Sequence, residues 1–271
     1  MIGIFDSGIG GITVVKEIKR ALPKSPILYF GDTARLPYGN RSPEIIRKYV
    51  KEDIEFLISK GAKIIVAACN SASTVISDDF KSKFKAPIFD VISSAIEAAI
   101  KVTKNGRIGL IGTRATVNSG VYDEKLETRN KKLGDVNEVK MYFQACPLFV
   151  PLVEENWIKR QETKTIAKKY LQDLKLKNID TLILGCTHYS FLKDVIARVI
   201  GKKVRLIDCA EEVAKVAQEE FENGRLKLPD PPRLQAGGRN LEDRFYVSDL
   251  TPHFQDLAEK WLGEKIKLEK I

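Results

Sequence analysis

The feature that most constrains this chain is an alternation of short, β-rich apolar runs with amphipathic stretches of helical period. Ile2–Phe5, Ile27–Phe30, Ile64–Ala67, Ile88–Val91, Ile108–Ile111, Val139–Phe143, Thr181–Leu184 and Val204–Ile207 read as strands. The clearest helix between them is Ser42–Lys60. Ser42 is placed to cap its first turn and Pro43 takes the first helical position. Ile45, Ile46, Tyr49, Val50, Ile54, Leu57 and Ile58 recur at helical spacing, and Gly61 stands just past the end. Strands alternating with helices predict an α/β fold, mostly parallel sheet with crossover helices. Farther on, Cys209–Asn223 reads as helix, Leu228–Arg239 as a Pro/Gly-rich loop, Phe245–Ser248 as a short strand and Pro252–Leu262 as helix.

An internal echo refines this picture. Ile64-Ile-Val-Ala-Ala-Cys69-Asn-Ser-Ala-Ser runs beside Thr181-Leu-Ile-Leu-Gly-Cys186-Thr-His-Tyr-Ser, with the two cysteines in equivalent places. A weaker echo pairs Ile2-Gly-Ile-Phe-Asp-Ser-Gly with Ile108-Gly-Leu-Ile-Gly-Thr-Arg. A chain of 271 residues, 44% of them hydrophobic, is long enough for two modest cores. The expectation is therefore two similar parallel-sheet lobes, each with a cysteine beyond a strand. In open parallel sheets ligands bind at those carboxyl ends, where helix N-termini offer free N–H donors and positive potential. That setting is expected to lower a thiol pKa and to hold a substrate carboxylate. If the lobes face each other, Cys69 and Cys186 approach one small ligand from opposite sides.

Other chemistries fit less well. The start Asp6-Ser7-Gly8-Ile9-Gly10-Gly11 follows a strand and opens a helix, but Thr13 stands at the third glycine of a dinucleotide-binding turn. No Gly-Lys-Ser/Thr signature marks a P-loop. His188 and His253 are the only histidines, too few to suggest a zinc site, and Cys–His hydrolysis leaves the second cysteine unexplained. The four cysteines show no C-x-x-C spacing, and Cys146 and Cys209 read as small core residues. The net charge of +9 comes from dispersed lysines without aromatic interleaving, so nucleic acid is not an expected partner. With no basic leader and no apolar run of spanning length, a soluble cytoplasmic protein without membrane association is expected.

Gly31-Asp32-Thr33-Ala34-Arg35-Leu36-Pro37-Tyr38-Gly39 is unusually polar for a strand-to-helix connection. It reads either as a loop in which Asp32 pairs with Arg35 or as a cleft lining. Pro147–Glu155 reads either as a packing segment or as the carrier of an acidic group, Glu154. Taken in order, IGIFDSGIGG, GDTARLPYG, AACNSAS, ACPLFVPLVEE and GCTHYS closely resemble the motifs of the glutamate racemase family, from the first residue to about Ala214.

That resemblance implies several things. Cys69 and Cys186 would be the proton-transfer residues, assisted by Asp6, Glu154 and His188. Asp6, Ser7, Tyr38, Gly39, Asn70, Ser71, Thr187 and His188 would hold the substrate, with Asp32 a weaker carry-over. It implies no cofactor and no metal, a homodimer, and D-glutamate supply for peptidoglycan. Residues 1–94 with 208–271 would form one lobe and 95–207 the other. Because the chain begins almost at its first strand, activation by a cell-wall precursor is not expected. His188 stands where aspartate racemases typically carry Glu, which favours glutamate and leaves aspartate as the competing substrate. A nucleotide-dependent enzyme and a non-catalytic binding protein are the alternatives from other classes. Two departures from the family pattern are visible. Asn70-Ser71 replaces the usual Asn-Thr and keeps the hydroxyl. Glu154-Glu155-Asn156 replaces Glu-Glu-Gly, so a backbone-permissive glycine is lost beside Glu154.

Overall fold

The computed structural model describes residues 1–133, 139–225 and 242–271. The expected loop Leu228–Arg239 lies outside them. Among the described residues, ten strands form two sheets in which every pairing is parallel. The strands are β1 (Ile2–Asp6), β2 (Ile27–Gly31), β3 (Ile64–Ala67), β4 (Ile88–Asp90), β5 (Arg107–Gly112), β6 (Lys140–Ala145), β7 (Thr181–Gly185), β8 (Arg205–Asp208), β9 (Arg244–Val247) and β10 (Leu268–Lys270). The six-stranded sheet has the order β10-β9-β2-β1-β3-β4, and the four-stranded sheet the order β6-β5-β7-β8.

The echo in the sequence is thus an echo in topology. Strands β2-β1-β3-β4 of one sheet and β6-β5-β7-β8 of the other follow the same path, first to one side of the opening strand and then to the other. Each path has a switch point, between β1 and β3 and between β5 and β7. The carboxyl ends at such a point diverge and leave a crevice.

The strands form where they do because parallel strands covered on both faces must be apolar along their whole length. All five residues of β1, β2 and β7 are buried. Successive side chains of β1 alternate between faces. Ile2 and Ile4 join a core with Ile12 and Val15 of helix Ile12–Ala21, whereas Phe5 joins Ile46, Val50 and Ile54 of helix Pro43–Ser59. The latter helix is built as its sequence specifies: Ser42 accepts a hydrogen bond from the Ile45 amide, and Gly61 turns the chain at φ 99°. Ile45 and Ile58 stay exposed despite lying on the apolar stripe. One core runs from the six-stranded sheet through helices Ile12–Ala21, Val91–Val102 and Cys209–Glu222 to the four-stranded sheet. The lobes therefore share an apolar seam at their backs and meet at the strand ends in front. Among the described residues, no helix is long and apolar enough to cross a membrane.

Candidate active site

Strand register decides which side chains meet at the two switch points. Phe5 of β1 pairs with Ala67 of β3, so Asp6 and Ser7 leave one strand beside the point where Cys69 leaves the other. In the second sheet Gly112 pairs with Gly185, so Thr113 and Cys186 emerge side by side. Both cysteines occupy N-cap positions, Cys69 at the start of helix Asn70–Ser73 and Cys186 at the start of the 3₁₀ segment Thr187–Leu192. Both thiols are free and nearly buried, at 7% and 8% exposure.

The two ends converge on one cleft lined by Ser7, Tyr38, Gly39, Cys69, Asn70 and Ser71 from one side and Thr113, Cys186, Thr187 and His188 from the other. It encloses about 30 Å³, room for one or two water molecules. Close approach across the seam depends on two glycines. A Cβ on Gly10 would stand 2.2 Å from Thr187 Oγ1 and 2.6 Å from the His188 ring, and one on Gly39 would stand 2.8 Å from Thr113 Cβ. Hydroxyls complete the contact: Ser71 Oγ lies 2.9 Å from Thr113 Oγ1 and 3.3 Å from Thr116 Oγ1.

The thiols stand in different electrical surroundings. Cys69 Sγ donates to Ser7 Oγ at 3.4 Å. Burial, reinforced by the nearby Asp6 carboxylate, pushes this thiol up to about 12. The lowering expected from a helix start is therefore absent at Cys69, because loss of water and a neighbouring negative charge outweigh one short turn of helix. Asp6 Oδ2 accepts from the Gly8 amide at 2.9 Å, while its Oδ1 is buried without a partner among the described residues. Burial raises this carboxyl above its usual range, against the opposing pull of His188.

At Cys186 the neighbour is a cation. His188 Nδ1 lies 3.8 Å from Cys186 Sγ, and Nε2 lies 3.1 Å from Glu154 Oε1. Burial alone would lower the imidazole pKa, but its bonds to Cys186 and Glu154 win and push it up to about 10. His188 is therefore an imidazolium at neutral pH, able to donate from both nitrogens. The His188 and Trp261 rings also pack nearly perpendicular, with centroids 5.9 Å apart. Asn156 takes φ 57°, the left-handed conformation that Asn tolerates better than most residues, and accepts from Lys260 Nζ at 3.0 Å. Asn thus reproduces the turn a glycine would make, and Glu154 keeps its hold on His188.

The Gly31–Gly39 segment combines both of its expected roles. Arg35 Nε bonds Asp32 Oδ2 at 2.5 Å and Nη2 bonds Asp53 Oδ1 at 2.9 Å, and the guanidinium lies 4.2 Å over the Tyr49 ring. Tyr38 Oη is hydrogen-bonded to Asp32 and, at 2.9 Å, to Asp53. Its hydroxyl is committed to this network, although Tyr38 also lines the cleft. Asp32 is buried in the network and does not line the cleft.

Thr113, Thr116 and Val150 belong to this site or its wall and were not singled out from the sequence. Thr113 was within reach, since the weaker echo sets it opposite Ser7.

Two matched strand-end crevices each contribute a thiol to one cleft, the arrangement that proton exchange on both faces of a carbon requires. The chain belongs to the Asp/Glu/Hydantoin racemase family, whose profile it matches over residues 2–217. It is 41% identical to a glutamate racemase of Geobacter metallireducens, over 98% of this chain and 93% of that one. Its fold matches a glutamate racemase isoform from Bacillus anthracis with a TM-score of 0.87 at 36% identity, covering 100% of this chain and 97% of that one. A glutamate racemase from Francisella tularensis, in complex with D-glutamate, matches with a TM-score of 0.86 at 36% identity, covering 100% and 96%.

Proposed function

We propose that this chain interconverts L- and D-glutamate by two-base proton transfer between Cys186 and Cys69, without a cofactor. The observation that carries the reading is the placement of one thiol from each sheet on the walls of a single cleft. Racemisation requires removal of a weakly acidic Cα proton and delivery of another to the opposite face. From L-glutamate, a Cys186 thiolate takes the Cα proton and the Cys69 thiol gives its own to the far face. D-Glutamate leaves, with Cys186 now the thiol and Cys69 the thiolate. The His188 imidazolium offsets negative charge at Cys186, and Glu154 holds the imidazolium. Asp6 stands on the Cys69 side. Ser7, Tyr38, Gly39, Asn70, Ser71 and Thr187 hold the substrate, and exclusion of water from the small cleft strengthens each of these contacts.

The working unit is two lobes, residues 1–94 with 208–271 and residues 95–207, in a cytoplasmic homodimer that supplies D-glutamate for peptidoglycan. Leu148 and Trp157, at 48% and 42% exposure near the Glu154 side of the site, support a partner surface there. Sedimentation at micromolar concentration is expected to give the mass of a dimer; a monomer would remove that part.

Circular dichroism of L-glutamate with enzyme alone is expected to decay to zero. A signal that decays only after a cofactor is added overturns the reading. In deuterated water, early D-product is expected to carry deuterium at Cα while unreacted L-glutamate stays protiated, with the mirror result from the D side. Protium carried into early product in both directions would mean a single base.

A further inference from the structure

Asn70 is held by two buried groups that the proton-transfer chemistry does not use. Its Oδ1 accepts from Tyr122 Oη at 2.8 Å and from Cys209 Sγ at 3.6 Å. Tyr122 Oη and Cys209 Sγ are themselves 3.9 Å apart. Asn70, Tyr122 and Cys209 are 2%, 1% and 2% exposed. They come from three different parts of the chain: Tyr122 from helix Val121–Leu133, Cys209 from the first turn of helix Cys209–Glu222, and Asn70 from the short helix just after Cys69. The opposite end of the amide, Nδ2, is buried without an acceptor among the described residues, in a side chain that lines the cleft. A buried donor left unpaired costs stability, so its retention calls for an acceptor supplied from elsewhere.

We infer that Tyr122 and Cys209 are positioning residues that fix the orientation of the Asn70 amide, so that Nδ2 donates to a carboxylate oxygen of the substrate. A carboxamide can turn over at little cost unless its surroundings distinguish oxygen from nitrogen. Here a hydroxyl and a thiol both point at one atom, and only an oxygen can accept from both. Were the amide reversed, the Tyr122 hydrogen would have only the Cys209 sulfur, 3.9 Å away. Burial raises Tyr122 well above the usual phenol range and raises Cys209 above the usual thiol range, so both keep their hydrogens throughout the working pH. The carboxylate recognition site is thus preset before substrate arrives, and a group read from the sequence as a small core residue becomes part of it. This rests on the reading that Asn70 contacts the substrate.

The test is steady-state kinetics in both directions on the full chain, with thermal unfolding as a control for folding. Tyr122→Phe removes one donor and is expected to raise KM for both enantiomers about tenfold with kcat changed less than about threefold, the scale of one hydrogen bond to a charged group. Asn70→Ala is expected to raise KM at least as far. The double variant Tyr122→Phe/Asn70→Ala should be no worse than Asn70→Ala alone, because Tyr122 acts only through that amide. Cys209→Ala is expected to raise KM about threefold and Cys209→Ser, which restores a donor, to bring it back. This pair carries the test if Tyr122→Phe does not fold. A KM within about twofold of the parent in a folded Tyr122→Phe, or losses that multiply in the double variant, would overturn the inference. An Asn70→Ala enzyme with unchanged KM would instead remove Asn70 from the substrate site and end the inference for that separate reason.

Discussion

The Cys69 half and the Cys186 half of the cleft share one construction and differ in charge. Each cysteine comes after a buried strand at a switch point and caps a helical turn. Yet a negative charge on Cys186 meets an imidazolium 3.8 Å away, whereas one on Cys69 meets the Asp6 carboxylate, which together with burial pushes the Cys69 thiol up to about 12. The backbone repeats and the side chains do not. A repeated fold thus supplies opposed positions, while a few residues grafted on one copy make their electrical surroundings unequal. L- and D-glutamate have equal free energies, so kcat/KM must be the same in both directions. The imbalance can appear only in how kcat and KM divide that ratio.

The largest effect is expected from removing either thiol. Cys69→Ser and Cys186→Ser should each lose at least about 10³-fold in racemisation, whereas Cys146→Ser and Cys209→Ser should retain most activity. Equal losses at all four would dissolve the distinction between the proton-transfer thiols and the other two. Next, His188→Asn removes the cation from one half only and is expected to cost about 10²-fold. It should also change the pH profile. His188 loses its proton as pH rises through about 10, so activity from L-glutamate should fall there in the parent. The substrate's amino group titrates in the same region, and any limb that survives in His188→Asn belongs to it. An unchanged profile in the variant would place the working cation elsewhere. Glu154→Gln keeps the shape but not the charge opposite Nε2, and about a tenfold loss with a lower His188 pKa by NMR is expected. The smallest effect should come from Asn156→Gly, within about twofold in activity, because glycine adopts the same left-handed turn and the bond to Lys260 is exposed. A large loss there would show that this bond, rather than the turn, holds Glu154 in place.

Much of the fold and the site is legible in the sequence because buried parallel strands announce themselves as apolar runs, and both cysteines break such runs at a polar step. The edges are harder. β10 has one buried residue, Leu268, between exposed neighbours, which is too short a pattern to distinguish from coil. β6 extends to Ala145, two residues beyond the expected Phe143, because a half-buried edge strand admits Gln144. Thr113 escapes notice because a threonine after a strand is also an ordinary helix cap, a role it fills here as well. The charge of His188 is not readable at all, since it depends on a carboxylate 34 positions earlier in the chain. Likewise, the commitment of Tyr38 to Asp53 joins residues 15 apart through a fold that no local pattern reports.

A cleft of about 30 Å³ cannot admit an amino acid while its walls stay where they are. Each molecule must therefore be let in by one parting of the seam and let out by another, with the chemistry confined to the interval between. The length of that interval against the time of one proton transfer sets what is released. If partings are frequent, most molecules leave as they came and the enzyme idles. If they are rare, Cα protons shuttle back and forth many times, and either enantiomer emerges as an even mixture.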